Sequence, residues 1–269
     1  MGYDQLDELR GKIKSKKGGW IIGEGVFVHG YNLLSDIVGK KSFFELVILN
    51  ATGRLPTKQL AYWVESVYSC LSWPDPRIWC NRVGALAGTN GCSPVSASFS
   101  GVLSSDSKSY GVYPLLEGVK FIQKSLIDYK KGHSILECIE KNSLFIKGKP
   151  AIVGYARPIA KGDERIEAME RVTIECGFEY GDHLLLAYDV ERFLIDKYDE
   201  AMNINGFVSA FMSDQNFSAI EIYRIFSSLV FSGVVACYVD AKDKDPGFFS
   251  PFRVEDIEYI GVDDRDVLS

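Results

Sequence analysis

Histidine is scarce: only His29, His133 and His183 occur in 269 residues, each in an ordinary helix-end or loop context. That leaves little for imidazole acid–base catalysis and no His-rich metal centre. There is no GxSxG elbow, HExxH pair, CxxC pair or GxxxxGK[ST] loop, which removes the usual sequence signals for serine hydrolysis, zinc and phosphate-loop chemistry. No apolar run approaches the ~18–20 residues that span a bilayer; Leu229 to Val239 is shorter and reads as a buried helix. The opening MGYDQLDELRGK is too polar for a signal peptide, and Met1-Gly2 lacks the Ser or Thr that myristoylation needs. These absences predict a cytoplasmic protein with no membrane partner. Basic charge is also short, with a net charge of -6 and a pI near 5.2. This argues against nucleic acid as a partner, because phosphate neutralisation needs a basic face. Lys12, Lys14, Lys16 and Lys17 read as a solvated terminal arm. The six cysteines are irregularly spaced, as expected of buried free thiols in a reducing compartment.

What is present is helical patterning. Trp20 to Val28 reads as a hairpin broken by Gly23 and Gly25, and no helix opens where a dinucleotide loop would need one. From Tyr31 to Val38 a short helix is expected. Ser42 with Glu45 forms a capping box for a helix to Thr52, and Thr57 is the N-cap of the next. Arg77 to Gly88 and Ser93 to Leu103 are helices poor in bulk, suited to close packing or a subunit contact. KSYGVYP reads as a loop before a helix at Leu115 to Lys130, and His133-Ser134 begins another at Ile135 to Ser143. Asp163 is the N-cap of a helix ending at Cys176 with Gly177 after it. Further helices are expected over Leu184 to Tyr198, Met202 to Met212, Ala219 to Leu229 and Val230 to Ala241. About eleven helices and almost no strand make this an all-α chain.

The stretch KPAIVGYARPIAKGDERIEA (Lys149 to Ala168) concentrates special positions: a glycine turn, a proline, two arginines and an acidic helix start. Arg157 follows a Gly-Tyr-Ala turn, Arg165 begins a helix, and Arg253 follows a later turn. Guanidinium forks suit carboxylates and phosphates, so converging arginines would make a di- or tricarboxylate pocket. The competing reading is a set of structural ion pairs with Asp163, Glu164, Glu255 or Asp256.

Taken in order, several blocks resemble the citrate synthase family. HGYNLLSDIVGKKSFFELVILNATGRLPTKQ is similar to that family's early block, and RIWCNRVGALAGTN with SPVSASFSGVL to its small-residue dimer-interface helices. GYARPIAKGDERIEA is similar to the block Gly-Phe-Gly-His followed by Asp-Pro-Arg, and MNINGFVSA to Pro-Asn-Val-Asp-x-x-Ser-Gly. SGVVACYVDA and PFRVEDIEYIG resemble the closing helix and tail, so the likeness runs over most of residues 20 to 261.

The resemblance implies an all-α homodimer, with a large helical domain (1–114 and 206–269) and a small one (115–205). It implies CoA-thioester chemistry on a small carboxylate: condensation or cleavage of a C–C bond beside the thioester, with CoA thioester as co-substrate and no covalently bound cofactor. The family uses two histidines and an aspartate, and this sequence departs at each. Tyr113 or Pro114 stands where the enolising histidine would fall, Arg157 replaces the second histidine, and Asn205 replaces the aspartate. Arg165 matches the carboxylate-binding arginine, and Arg253 the tail arginine. Asn205 cannot act as a carboxylate base and Arg157 cannot give up its proton, although both can stabilise an anion. An acyltransferase or lyase with altered residues (Arg157, Asn205 and Tyr113 catalytic; Arg165 and Arg253 substrate-binding) stands beside a catalytically inactive homologue. The latter would bind a carboxylate, a CoA metabolite or a partner protein.

Overall fold

The computed structural model describes residues 3–11, 15–108, 110–157, 161–248, 252–263 and 265. In chain order the first elements are helix α1 (Tyr3–Leu9), strands β1 (Gly18–Ile21), β2 (Gly25–Val28) and β3 (Tyr31–Asn32), then helices α2 (Phe43–Thr52), α3 (Lys58–Leu71), α4 (Trp79–Thr89) and α5 (Pro94–Ser104). Strands β4 (Asp106–Ser107) and β5 (Tyr110–Gly111) precede α6 (Val112–Lys130) and α7 (Ile135–Asn142); β6 (Leu144–Ile146) and β7 (Lys149–Ala151) precede α8 (Glu164–Glu175). The chain ends through α9 (Asp182–Tyr198), α10 (Ile204–Asp214), α11 (Ala219–Ile225), α12 (Phe231–Lys242) and a 3-10 turn, Val254–Asp256. The all-α class stands.

The reasons for the helix starts are local. Ser42 accepts the Glu45 N–H while Glu45 accepts that of Ser42, and Ser134 with Glu137 repeats the arrangement. Thr57 caps α3, and Asp163 caps α8. Each cap satisfies amides that the helix leaves without an internal partner.

Two expectations need correction, and one further element was not foreseen. Tyr31 and Asn32 are extended, paired with Val28 and Phe27, and the following turn over Leu33–Ile37 is π-helical. Cross-strand pairing overrides local helix propensity there. Helix α6 begins at Val112, so Pro114 lies in its first turn rather than in a loop; a first-turn proline sacrifices only an amide that lacks an intrahelical partner. Leu144 to Ala151 is a β-hairpin, turning through Lys147 and Gly148 at φ 52 and 82.

The described residues fall into two compact units, Met1–Trp73 with Ser105–Val230, and Pro74–Ser104 with Phe231–Ser269. The large and small domains expected from the resemblance are a different partition. In the first unit, α6 packs along α10, α9 and α11. Trp63 of α3 stacks on Phe211 of α10 with ring centroids 3.8 Å apart, and its indole N–H donates to Thr173 Oγ1 of α8 at 2.8 Å. A buried indole needs such a partner, and the pairing fixes α3, α8 and α10 around one point.

In the second unit, α4, α5 and α12 pack together. The small residues of α4 and α5 are explained here. A Cβ on Gly84 would stand 2.5 Å from Val234 Cγ1, and one on Gly101 would meet Val234 and the Cys80 carbonyl. Bulk is missing because α12 occupies the space. Cys80, Cys138 and Cys237 are buried free thiols as expected, but Cys92 is exposed, lying past the end of α4. Among the described residues no helix is long and apolar enough to cross a membrane.

Candidate functional site

The Lys149–Ala168 stretch is organised by one carboxylate. Asp163 has no exposed side-chain surface. It accepts Arg165 Nε and NH2 at 2.7 Å each, and the backbone N–H of Ile204 at 2.9 Å. Burial pushes this carboxyl up, but the Arg165 guanidinium and the Ile204 amide outweigh it and hold Asp163 below the usual carboxylate range. One side chain thus caps α8, holds Arg165 and ties α8 to the start of α10.

Arg157 is arranged differently. Its fork engages Glu164, with NH1 to Oε2 at 2.5 Å and NH2 to Oε1 at 3.2 Å; Asp163 Oδ1 lies 3.7 Å from NH1. The Arg157 side chain is 13% exposed and that of Glu164 73%. The Arg157 hydrogen bonds lower the Glu164 carboxyl and raise the guanidinium in return.

The start of α10 sits against the same loop. Asn203 N–H donates to the Gly154 carbonyl at 2.8 Å and Asn203 Nδ2 to that of Ala156 at 2.7 Å. Gly154 has φ 101, and a Cβ on it would stand 2.7 Å from Gly206 Cα, so only glycine allows both the backbone angle and the contact. Asn205 Oδ1 accepts the Ser209 hydroxyl at 3.1 Å and faces Gly118 of α6, where a Cβ would stand 2.7 Å from that oxygen. The first amides of α10 are taken: Asn203 Oδ1 receives those of Asn205 and Gly206, and Asp163 that of Ile204. The helix end is therefore closed to an outside anion, and the anion-binding capacity here is that of the arginines.

Of the expected site residues, the structure gathers Arg157, Arg165 and Asn205 around the 152–157 loop and the α10 start. Tyr113 is elsewhere on α6. It lies five positions before Gly118, which turns it about 140° away around the helix. Arg253 lies in the second unit and is exposed, with its backbone N–H donating to Asp256 Oδ2 at 2.9 Å.

Comparison with solved structures identifies the fold. The chain superimposes on citryl-CoA lyase from Hydrogenobacter thermophilus with a TM-score of 0.79, at 23% identity over 95% of this chain and 97% of that one. Citrate synthase from Thermoplasma acidophilum, determined as a ternary complex with carboxymethyl coenzyme A and oxaloacetate, matches with a TM-score of 0.60 at 15% identity, over 85% of this chain and 59% of that one. The chain has a citrate synthase-like fold. ATP citrate lyase from Methanothrix soehngenii, in complex with citrate and coenzyme A, shares this citrate synthase-like fold with a TM-score of 0.73 at 16% identity, over 98% of this chain but only 45% of that one. No family model and no curated protein sequence matches the chain.

One histidine is paired in a way the sequence did not signal. His183 Nδ1 lies 2.9 Å from Asp214 Oδ1, and Asp214 also accepts the backbone amides of His183 and Leu184. Asp214 therefore caps α9 from the end of α10, 31 positions downstream. Nothing in the local pattern at Gly181-Asp182 points to so distant a cap. Among the described residues no three His, Cys, Asp or Glu side chains form a metal-binding group.

Proposed function

We propose that the chain acts on a CoA thioester of a tricarboxylate, cleaving or forming the C–C bond between the acyl methylene and the carbinol carbon. The observation that supports this best is the end-to-end match. The citryl-CoA lyase chain is covered over 97% of its length, whereas the citrate synthase and ATP citrate lyase chains extend well beyond this one. In the cleavage direction the carbinol O–H gives up its proton, its oxygen becomes the keto oxygen of oxaloacetate, and the released enolate of acetyl-CoA takes a proton on carbon. Arg157 would hold a carboxylate and stabilise negative charge. Asn205, with Oδ1 already accepting from Ser209, has its amide N–H donors to offer the enolate oxygen.

One observation favours the second reading, an inactive homologue that binds a carboxylate or CoA metabolite. Both arginines are engaged by this chain's own carboxylates, and the amide at Asn205 cannot replace an acid. A single experiment separates the two. Citryl-CoA is mixed with the protein and the mixture resolved by chromatography, alongside thermal melts with citrate and with CoA. Acetyl-CoA appearing with wild type and lost in Arg157→Gln supports the lyase. A melting shift without turnover supports the binding protein, and neither response defeats both. The homodimer and the two-domain division at 115–205 belong to the same proposal, as does a cytoplasmic location. Light scattering reads the oligomeric state.

A further inference from the structure

The two arginines of the site are not equivalent, and their partners show why. Arg165 gives its fork to a carboxylate with no solvent exposure, which also holds the Ile204 amide and caps α8. An outside anion could take the Nε–NH2 edge of Arg165 only by stripping the buried Asp163 of its bidentate partner and leaving it Arg157 NH1 at 3.7 Å, which is strongly unfavourable. Arg157 faces the opposite situation. Its guanidinium is largely buried, yet its fork partner Glu164 is 73% exposed and is the first residue of α8. Once released, Glu164 is hydrated at once and stays at a helix N-terminus, where a negative charge is favourable. Exchanging one solvent-accessible carboxylate for another on a fixed guanidinium is nearly balanced, because the same charge-assisted fork is made before and after.

We infer that Glu164 is a displaceable occupant of Arg157, standing where a ligand carboxylate binds, and that Arg157 rather than Arg165 is the ligand-binding arginine. This rests on the proposed site but not on turnover. Glu164 then acts as an internal competitor. Ligands whose carboxylate reaches the Arg157 fork bind by expelling Glu164, while weakly presented anions fail to do so. It sets a threshold for occupancy without blocking the site.

The test is calorimetric titration with citrate, a probe that needs no catalysis. Glu164→Gln removes the competing charge and keeps the length of the side chain; Glu164→Asp keeps the charge but shortens its reach. Relative to wild type, Glu164→Gln is expected to bind citrate about 3- to 5-fold more tightly, as expected when the displaced carboxylate keeps most of its hydration. Glu164→Asp should fall between them, and Arg157→Gln should lose binding. Unchanged affinity in Glu164→Gln overturns the inference, as does loss of binding in that variant. Citrate binding retained in Arg157→Gln overturns it too, and so does no citrate binding by any of the proteins. A chain that binds citrate in the expected order but leaves citryl-CoA intact would refute the lyase and leave this inference standing.

Discussion

Replacing Asp163 by Asn probes the carboxylate that holds the site together. The substitution preserves volume and one acceptor oxygen for the Ile204 amide. It removes the charge facing Arg165 and puts an N–H pair against a guanidinium that can only donate. Two 2.7 Å bonds from Arg165 are affected, on a side chain with no exposure. Removing one partner of a buried ion pair costs ~3–5 kcal/mol. Arg165 is itself 23% exposed, so its released charge recovers some hydration, and ~2–4 kcal/mol is the expected loss. Urea unfolding reads this as a lower midpoint at unchanged slope. The deficit also has a pH signature. The folded-state Asp163 carboxyl lies below its ordinary value, so its contribution is present above the unfolded value near ~4 and is lost as pH falls through the folded one. Wild type and Asp163→Asn should therefore begin to draw together as pH falls below about 4 and meet once the folded carboxyl is protonated. A midpoint shift worth less than ~1 kcal/mol at neutral pH would mean that the Asp163–Arg165 pair is worth no more than a surface one, and the argument for its inertness toward ligands would fail.

Three further outcomes are expected. Gly84→Ala should destabilise by ~1–3 kcal/mol through overpacking, and Val234→Ala should relieve most of it in a double-mutant cycle, since Val234 Cγ1 is the clashing atom at 2.5 Å. Gly101→Ala should not be rescued in the same way, because the Cys80 carbonyl oxygen would still lie 2.7 Å from the new Cβ; denaturant midpoints of the singles and doubles decide both. Ser134→Ala removes the capping box of α7 and should lower stability by ~1 kcal/mol, read by thermal melts.

Much of the scaffold was legible because it is written in short-range chemistry. Ser42 with Glu45, Thr57 and Asp163 cap the helices they were expected to cap, and the helix expected after His133-Ser134 begins at Ile135. The small residues of α4 and α5 signalled close packing, and Val234 of α12 supplies it. The misses share a different origin. Tyr31 is extended because Val28 pairs with it across a turn, and the β6–β7 hairpin depends on positive φ at Lys147 as well as Gly148; both are decided between strands. At the site, the two arginines and the acids beside them were visible as alternatives, a ligand pocket or ion pairs. Which acid takes which arginine depends on the Ile204 amide reaching Asp163 across 41 positions. That contact buries Asp163 and leaves Glu164 in solvent beside Arg157, a distinction no local pattern encodes. Tyr113, expected from its slot in a resembling block, lies five positions before Gly118 on α6.

The proposed activity is tested most directly by a single-turnover reaction with protein in excess over citryl-CoA, stopped chemically and assayed for oxaloacetate. Close to one equivalent per citryl-CoA in wild type, with none in Arg157→Gln, is the predicted result. Intact citryl-CoA in the wild-type reaction, or equal product in both, would contradict it.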